Sequence, residues 1–305
     1  MTNSHNIAKS IAFAMTFTSL TMIPFDVAFA GDMAKFDSST IQTDAALAAK
    51  LPENISKAGV LVIGSDTAYA PWEYISETDG KTVEGIDVDI AEAMAKTLGV
   101  KVDFQTSAFD AILPALGAKY DLGISAFSVT NERMGAVNFV SYSQSGSLWA
   151  VKAGNPTKFD AKDICGRIIA LQSSSYEEGL VQKESEACVA AGKKAIEMLP
   201  FAAQTEALTR VAAGGADATV SGSSTIGYAA KQSNGQLETL MTAGMLGGYG
   251  LNGIAIAKKD MVLTELMAEV TNRLIKDGTI GKIYDMWGVG DSAIPVAEIN
   301  PKVKD

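Results

Sequence analysis

The chain has 305 residues, 47% of them hydrophobic, with 25 basic against 35 acidic side chains and a formal charge of −10. That length and apolar content suffice for a sizeable core in two domains, while the negative field excludes nucleic acid and anionic membrane surfaces as partners of the whole molecule. The single histidine is His5, inside the segment read below as removable, so Ser-His, Cys-His and His-ligated metal chemistry are excluded and no metal or cofactor is expected.

In chain order, Lys9, an apolar run over 11–23 and Ala28-Phe29-Ala30 before Gly31 read as a secretory signal over 1–30. The run is too short for a membrane span of about 20 residues. The residue directly after the cleavage point is Gly31, not a cysteine, so the expected product is periplasmic, soluble and free of a lipid anchor. Residues 31–54 are polar and Ala-rich and predict a lead-in helix over 43–50, ending before Pro52. From there strands and helices alternate, the pattern of parallel-sheet α/β units. Val60-Leu61-Val62-Ile63-Gly64 is a short apolar strand, and 87–98 is a helix whose Ile90, Ala93, Met94 and Leu98 share a face, with Gly99 as its stop. A strand over 100–105, a helix over 109–116 and a strand over 120–126 follow.

Leu148-Trp149-Ala150-Val151 is a strand leading to Gly154-Asn155-Pro156, read as a crossing between domains. The second block repeats the style, with a strand over 167–172, the turn Ser173-Ser174-Ser175, helices over 176–190 and 204–213, and a strand over 216–221. Gly253-Ile254-Ala255-Ile256-Ala257 is a return strand. The stripe Leu263, Leu266, Met267, Val270 and Leu274 marks a long helix stopped by Gly278, and 280–287 is a last helix burying Ile283 and Trp287. Cys165 and Cys188 fit one disulfide in an oxidising compartment.

The stretch Ser125-Ala126-Phe127-Ser128-Val129-Thr130-Asn131-Glu132-Arg133 joins a buried strand, a hydroxyl-lined turn, an N-cap at Thr130 and a guanidinium. Together these can hold a small anion: backbone N–H groups face it and Arg supplies a bidentate fork. A cation in a helix's first turn opposes the dipole, so Arg133 has a role other than helix stability. Asp66-Thr67-Ala68-Tyr69-Ala70-Pro71-Trp72-Glu73 follows the first strand, at the end where ligands sit in open α/β sheets. Asp66 can pair a cation, Tyr69 can stack on an aliphatic portion, and Trp72 reads as core. Ser173-Ser174-Ser175 is a second hydroxyl-rich helix start, with Glu177 and Glu178 suited to the dipole.

The order of these motifs resembles the extracellular solute-binding proteins of family 3, the receptors of polar amino-acid ABC transporters. The resemblance runs from Val60-Leu61-Val62-Ile63-Gly64-Ser65-Asp66 through Tyr69-Ala70-Pro71-Trp72-Glu73 and Gly85-Ile86-Asp87-Val88-Asp89-Ile90. It continues with Phe109-Asp110-Ala111-Ile112-Leu113-Pro114-Ala115-Leu116, Thr130-Asn131-Glu132-Arg133 and Asn138-Phe139-Val140, and ends at Trp287-Gly288.

The resemblance implies an α/β, two-lobed periplasmic-binding-protein-like fold of type II. Each lobe would be a mostly parallel sheet flanked by helices, and two hinge strands would join them. Lobe 1 would take 55–148 and 250–290, lobe 2 would take 152–248, and 291–305 would be a tail. By position, Arg133 and the Ser128 backbone would grip a ligand carboxylate with help from Ser174 and Ser175. Tyr69 and Phe109 would sandwich the ligand, Asp66 and Ser125 would read its side chain, and the Ala126 carbonyl would accept from its ammonium. The implied partners are a small carboxylate-bearing ligand and a membrane permease, the implied state a monomer, and the implied chemistry binding alone. The rivals on the same fold are a cyclohexadienyl or arogenate dehydratase, with Glu73 or Asp66 as acid–base group, and a ligand-presenting sensor.

One position departs from the family. Where its amino-acid binders carry an Asp for the α-ammonium, this chain has Gly222. Three readings stay open: another carboxylate (Asp66 or Glu73) takes the role, the alignment slips, or the ligand lacks an ammonium there.

Overall fold

The computed structural model describes residues 1, 35–240 and 246–304. The expected signal over 1–30, His5 included, lies outside the described residues apart from Met1. Among the described residues no helix is long and apolar enough to cross a membrane.

The strands in chain order are β1 (Val60–Ser65), β2 (Ala68–Tyr69), β3 (Glu73–Ile75), β4 (Val83–Glu84), β5 (Lys101–Thr106), β6 (Leu122–Gly123), β7 (Val137–Lys152), β8 (Ile168–Gln172), β9 (Glu197–Phe201), β10 (Ala218–Gly222), β11 (Leu237–Thr239) and β12 (Leu246–Ala257). One sheet runs β5-β1-β6-β12-β7-β10-β8-β9, with β11 also on β7, while β2-β3-β4 form a small separate sheet. β1 is parallel to β5 and β6, and β8 is parallel to β9 and β10. The two parallel groups are the two lobes. β7 and β12 join them as a long antiparallel pair whose register shifts between Leu246 and Tyr249 and between Asn252 and Gly253.

β7 is where sequence and structure differ most. The apolar run 148–151 is the second-lobe end of a strand that already starts at Val137. Gly154-Asn155-Pro156 is a turn after that strand, with Asn155 in the left-handed region and bonded through its amide to Phe159. The strand expected over 120–126 shrinks to Leu122–Gly123, because Ala126 turns to φ +44 and breaks the ladder. The helix expected over 109–116 is one α-turn, Phe109–Ile112, passing at Pro114 into a 3₁₀ turn.

The helix Ile86–Leu98 is buried nearly all round, as befits an element sandwiched between the sheet and other helices. Its start is fixed by Gly85, whose φ of +135 is open to glycine alone and whose missing Cβ would stand 2.2 Å from the Trp72 carbonyl oxygen. Ile86 and Asp87 donate their N–H groups to the Pro71 and Trp72 carbonyls, which brings Asp87 beside Glu73.

The helix Met261–Lys276 buries the whole expected stripe Leu263, Leu266, Met267, Val270 and Leu274. The helix Thr279–Trp287 returns to the first lobe, where Trp287 Nε1 donates to Asp89 (2.7 Å) and the Tyr284 hydroxyl to the Tyr142 carbonyl (2.8 Å). The segment after it is tied along β7 through Glu298 and Asn300. In the second lobe the Cys165–Cys188 disulfide, Cα atoms 5.6 Å apart, joins a core of Trp149, Val151, Phe159, Leu171 and Val220.

Candidate functional site

The carboxyl ends of β1 and β6 face those of β8 and β10 across a cavity of about 30 Å³, room for about two waters. That is too small for a solute of amino-acid size. Side-chain ties cross the seam. Gln172 Nε2 donates to Asp66 Oδ2 (2.6 Å), Trp72 Nε1 donates to Ser224 Oγ (2.8 Å), the Tyr69 and Ser221 hydroxyls bond at 2.8 Å, and Arg133 Nη2 donates to the Ser174 carbonyl (2.7 Å).

Arg133 stands in the first turn of the helix Asn131–Ala136, where Thr130 Oγ1 accepts from its N–H at 3.1 Å. Its guanidinium lies over Phe109 and Phe127, 5.5 and 5.9 Å from the ring centroids. Nη1 donates to the Ser128 carbonyl (2.9 Å), and Nη2 reaches Ser174, whose left-handed backbone (φ +62) turns that carbonyl towards it. Burial lowers the proton affinity of the guanidinium, against the opposing charges of Glu177 and Glu132. Both fork nitrogens thus rest on carbonyls that a carboxylate can replace.

Tyr69, Phe109, Ser125, Ala126, Ser128, Arg133, Ser175 and Gly222 line the cavity. Asp66 and Ser174 stand behind it, Asp66 engaged by Gln172 and Ser174 acting through its carbonyl. Burial raises the Asp66 carboxyl above its ordinary range, opposed by the Gln172 bond. Ser125 is held from both sides: its hydroxyl donates to Glu73 Oε1 (2.6 Å) and accepts from the Asp66 N–H (3.0 Å). The Ala126 carbonyl already accepts from Asn252 Nδ2 at 2.6 Å. Ser175 caps the helix Tyr176–Ala190 by accepting from the Glu178 N–H.

Several cavity residues escaped the sequence reading. Trp72 is buried as expected, yet its indole N–H also crosses to the second lobe. Gln172, Ser145, Ser221 and Asn252 lie at strand positions with no distinguishing pattern. Both acids expected to complement the dipole stand in the first turn: Glu178 accepts from the Ser174 N–H (2.7 Å), while Glu177 accepts from its own N–H and, lining the cavity, from the Ser147 hydroxyl (2.7 Å).

Below the floor lie two buried carboxyl groups in hydrogen-bond contact, Glu73 and Asp87. Asp87 accepts from the Tyr142 hydroxyl (2.7 Å) and the Ala126 N–H (2.9 Å). Burial, then the Asp87 charge, pushes the Glu73 carboxyl well above the ordinary range, and burial pushes Asp87 up to about 6. Such a contact requires one shared proton. Glu73 Oε2, buried with no acceptor-type bond among the described residues, suits the protonated partner.

The family model described as bacterial extracellular solute-binding proteins, family 3, matches residues 61–290. The chain is 28% identical to an arginine-binding protein of Corynebacterium glutamicum over 254 residues, 83% of this chain and 82% of that one. It is 28% identical to the lysine/arginine/ornithine-binding periplasmic protein of Escherichia coli over 253 residues, 80% of this chain and 90% of that one. Among solved structures, a mutant arginine-binding protein from T. maritima matches with TM-score 0.68 at 28% identity, over 77% of this chain and 98% of that one. An ancestral amino acid-binding protein, a precursor of cyclohexadienyl dehydratase, matches with TM-score 0.65 at 30% identity, over 77% and 98%.

Proposed function

The chain belongs to family 3 of the bacterial extracellular solute-binding proteins, and from that membership we propose that it is an exported, monomeric receptor that delivers a small carboxylate-bearing solute to an ABC importer. The solute class is an amino acid with a polar or cationic side chain, or a derivative of one. The observation that carries the reading is Arg133, a fork resting on two exchangeable carbonyls at the edge of a cavity between lobes. Relatives named for arginine, lysine and ornithine support a cationic side chain, and so does Asp66, an acidic group just behind the cavity wall.

In this reading the solute enters with the lobes apart, and contacts from both sides favour their closure by bending at β7 and β12. The membrane permease reads the closed form, and no bond is made or broken. Thermal unfolding with each common amino acid tests it. A solute at 100 times its dissociation constant is expected to stabilise the protein by about 2.7 kcal/mol, and an unmoved transition across the panel at millimolar concentration overturns the reading. The dehydratase alternative draws on one structural neighbour; incubation with prephenate or arogenate is expected to leave both unchanged.

A further inference from the structure

We infer that Glu177, in place of a side chain at position 222, supplies the counter-charge for the ligand's α-ammonium, which restricts the ligand to α-amino acids carrying both charges. The inference rests on the reading of the interlobe cavity as an amino-acid site.

Position 222 cannot supply that charge. Gly222 has no side chain, and a Cβ built there would stand 3.1 Å from the Tyr69 hydroxyl oxygen. That hydroxyl is bonded to the Gly222 N–H (3.3 Å) and to Ser221 Oγ (2.8 Å), so a tyrosine from the other lobe fills the space where an acid would project. Burial raises the phenol well above its ordinary range, so Tyr69 stays neutral there.

The other carboxylates are engaged elsewhere. Asp66 is bonded to Gln172 behind the cavity wall, and Glu73 is committed to Ser125 and Asp87. Among the described residues lining the cavity, Glu177 is the one acidic side chain.

Its position answers the vacancy at 222 by register. Ser147, which donates to Glu177 Oε1 at 2.7 Å, is the antiparallel partner of Gly222 on the neighbouring strand. Directly paired residues project to the same face of a sheet, roughly 5 Å apart. Ser147 therefore holds a carboxylate from the helix Tyr176–Ala190 close to where a side chain at 222 would have placed one. A carboxylate has about four acceptor positions, so the Ser147 bond leaves capacity for an ammonium. With Arg133 across the cavity, the lining offers one fixed positive and one negative group, the complement of a zwitterion.

The test is calorimetric titration of the wild-type protein and Glu177→Gln with two matched pairs: L-arginine against δ-guanidinovalerate, and L-glutamine against glutaramate. The second member of each pair lacks only the α-amino group. Gln keeps the volume and the acceptor for Ser147, and retained binding of the deaminated acid reports an intact site. Glu177→Gln is expected to weaken the amino acid by at least about thirty-fold while moving the deaminated acid by less than about threefold. Equal weakening of both members, or of neither, overturns the inference while leaving the amino-acid reading in place. If the wild type binds neither amino acid of these pairs nor any other in the thermal panel, that reading falls and the inference with it.

Discussion

Replacing Arg133 with alanine is expected to weaken solute binding by roughly thirty-fold to a few thousand-fold, the range for removing one partner of a desolvated, hydrogen-bonded charge pair. Phe109 and Phe127 fix the plane of the guanidinium, and the Ser128 and Ser174 carbonyls fix the directions of its two terminal nitrogens. A carboxylate approaching that fork replaces two neutral acceptors by two charged ones. Arg133→Lys keeps the charge but presents a point where the site has a planar fork, so an intermediate loss is expected. Loss of the two carbonyl bonds and of the stacking on Phe109 and Phe127 should also lower stability without solute, by about 1–3 kcal/mol, so affinity is compared on folded protein. Near-native affinity of the alanine variant in titration calorimetry would remove Arg133 from the site.

The second large effect is one of pH. Glu73 and Asp87 share a proton in the folded protein, with Asp87 raised to about 6 and Glu73 well above its ordinary range. In the unfolded chain both titrate near pH 4. Between those limits the native state holds a proton that the unfolded state has lost. Stability from the pair is therefore fully present below about pH 4 and declines as pH rises, by about 1.4 kcal/mol per unit for each retained proton.

Glu73→Gln carries the donor permanently and removes that dependence. Relative to the wild type, the variant is expected to gain stability in urea unfolding as pH rises from 5 to 7, the direction set by the raised Glu73 carboxyl. The raised Asp89 and Glu177 carboxyls titrate in both proteins and cancel in the difference. A difference that stays flat across that window would mean that the pair holds no shared proton.

Much of the fold could be read from the sequence wherever one element buries a periodic face. The helix Met261–Lys276 shows this, while the helix Ile86–Leu98, buried nearly all round, and the core strand β1 are legible from their apolar content and end signals. Elements below the reach of periodicity were missed. β2 and β4 have two residues each, β9 contains Pro200 on an edge, and the helix Ser223–Gln232 opens on small polar residues with no acid in its first turn. β7 was read only at its apolar end, because Ser141, Ser143, Ser145 and Ser147 interrupt the pattern where the strand passes the seam.

The site divides in the same way. Arg133 and its cap are a local signal, a cation in a capped first turn. Glu177 gives no local signal at all. Its side chain is directed by Ser147, thirty positions away, and looks from the sequence like any acid at a helix start. The glycine at 222 was visible as a gap, but the tyrosine that fills it comes from the other end of the fold, 153 positions earlier.

The placement of β12 between β6 and β7 also governs the order in which the chain can assemble. β6 and β7 are close in sequence but never pair; the strand that separates them ends only at Ala257. A chain emerging from its N-terminus can form β1, β5 and β6, yet one edge of that sheet stays bare until β12 arrives. The parallel strands of the second lobe, β8, β9 and β10, need only the end of β7, which precedes them directly. Long-range pairing is the slow part of folding, since loop entropy must be spent before the contact forms. The lobe that begins first in sequence is thus the one completed last.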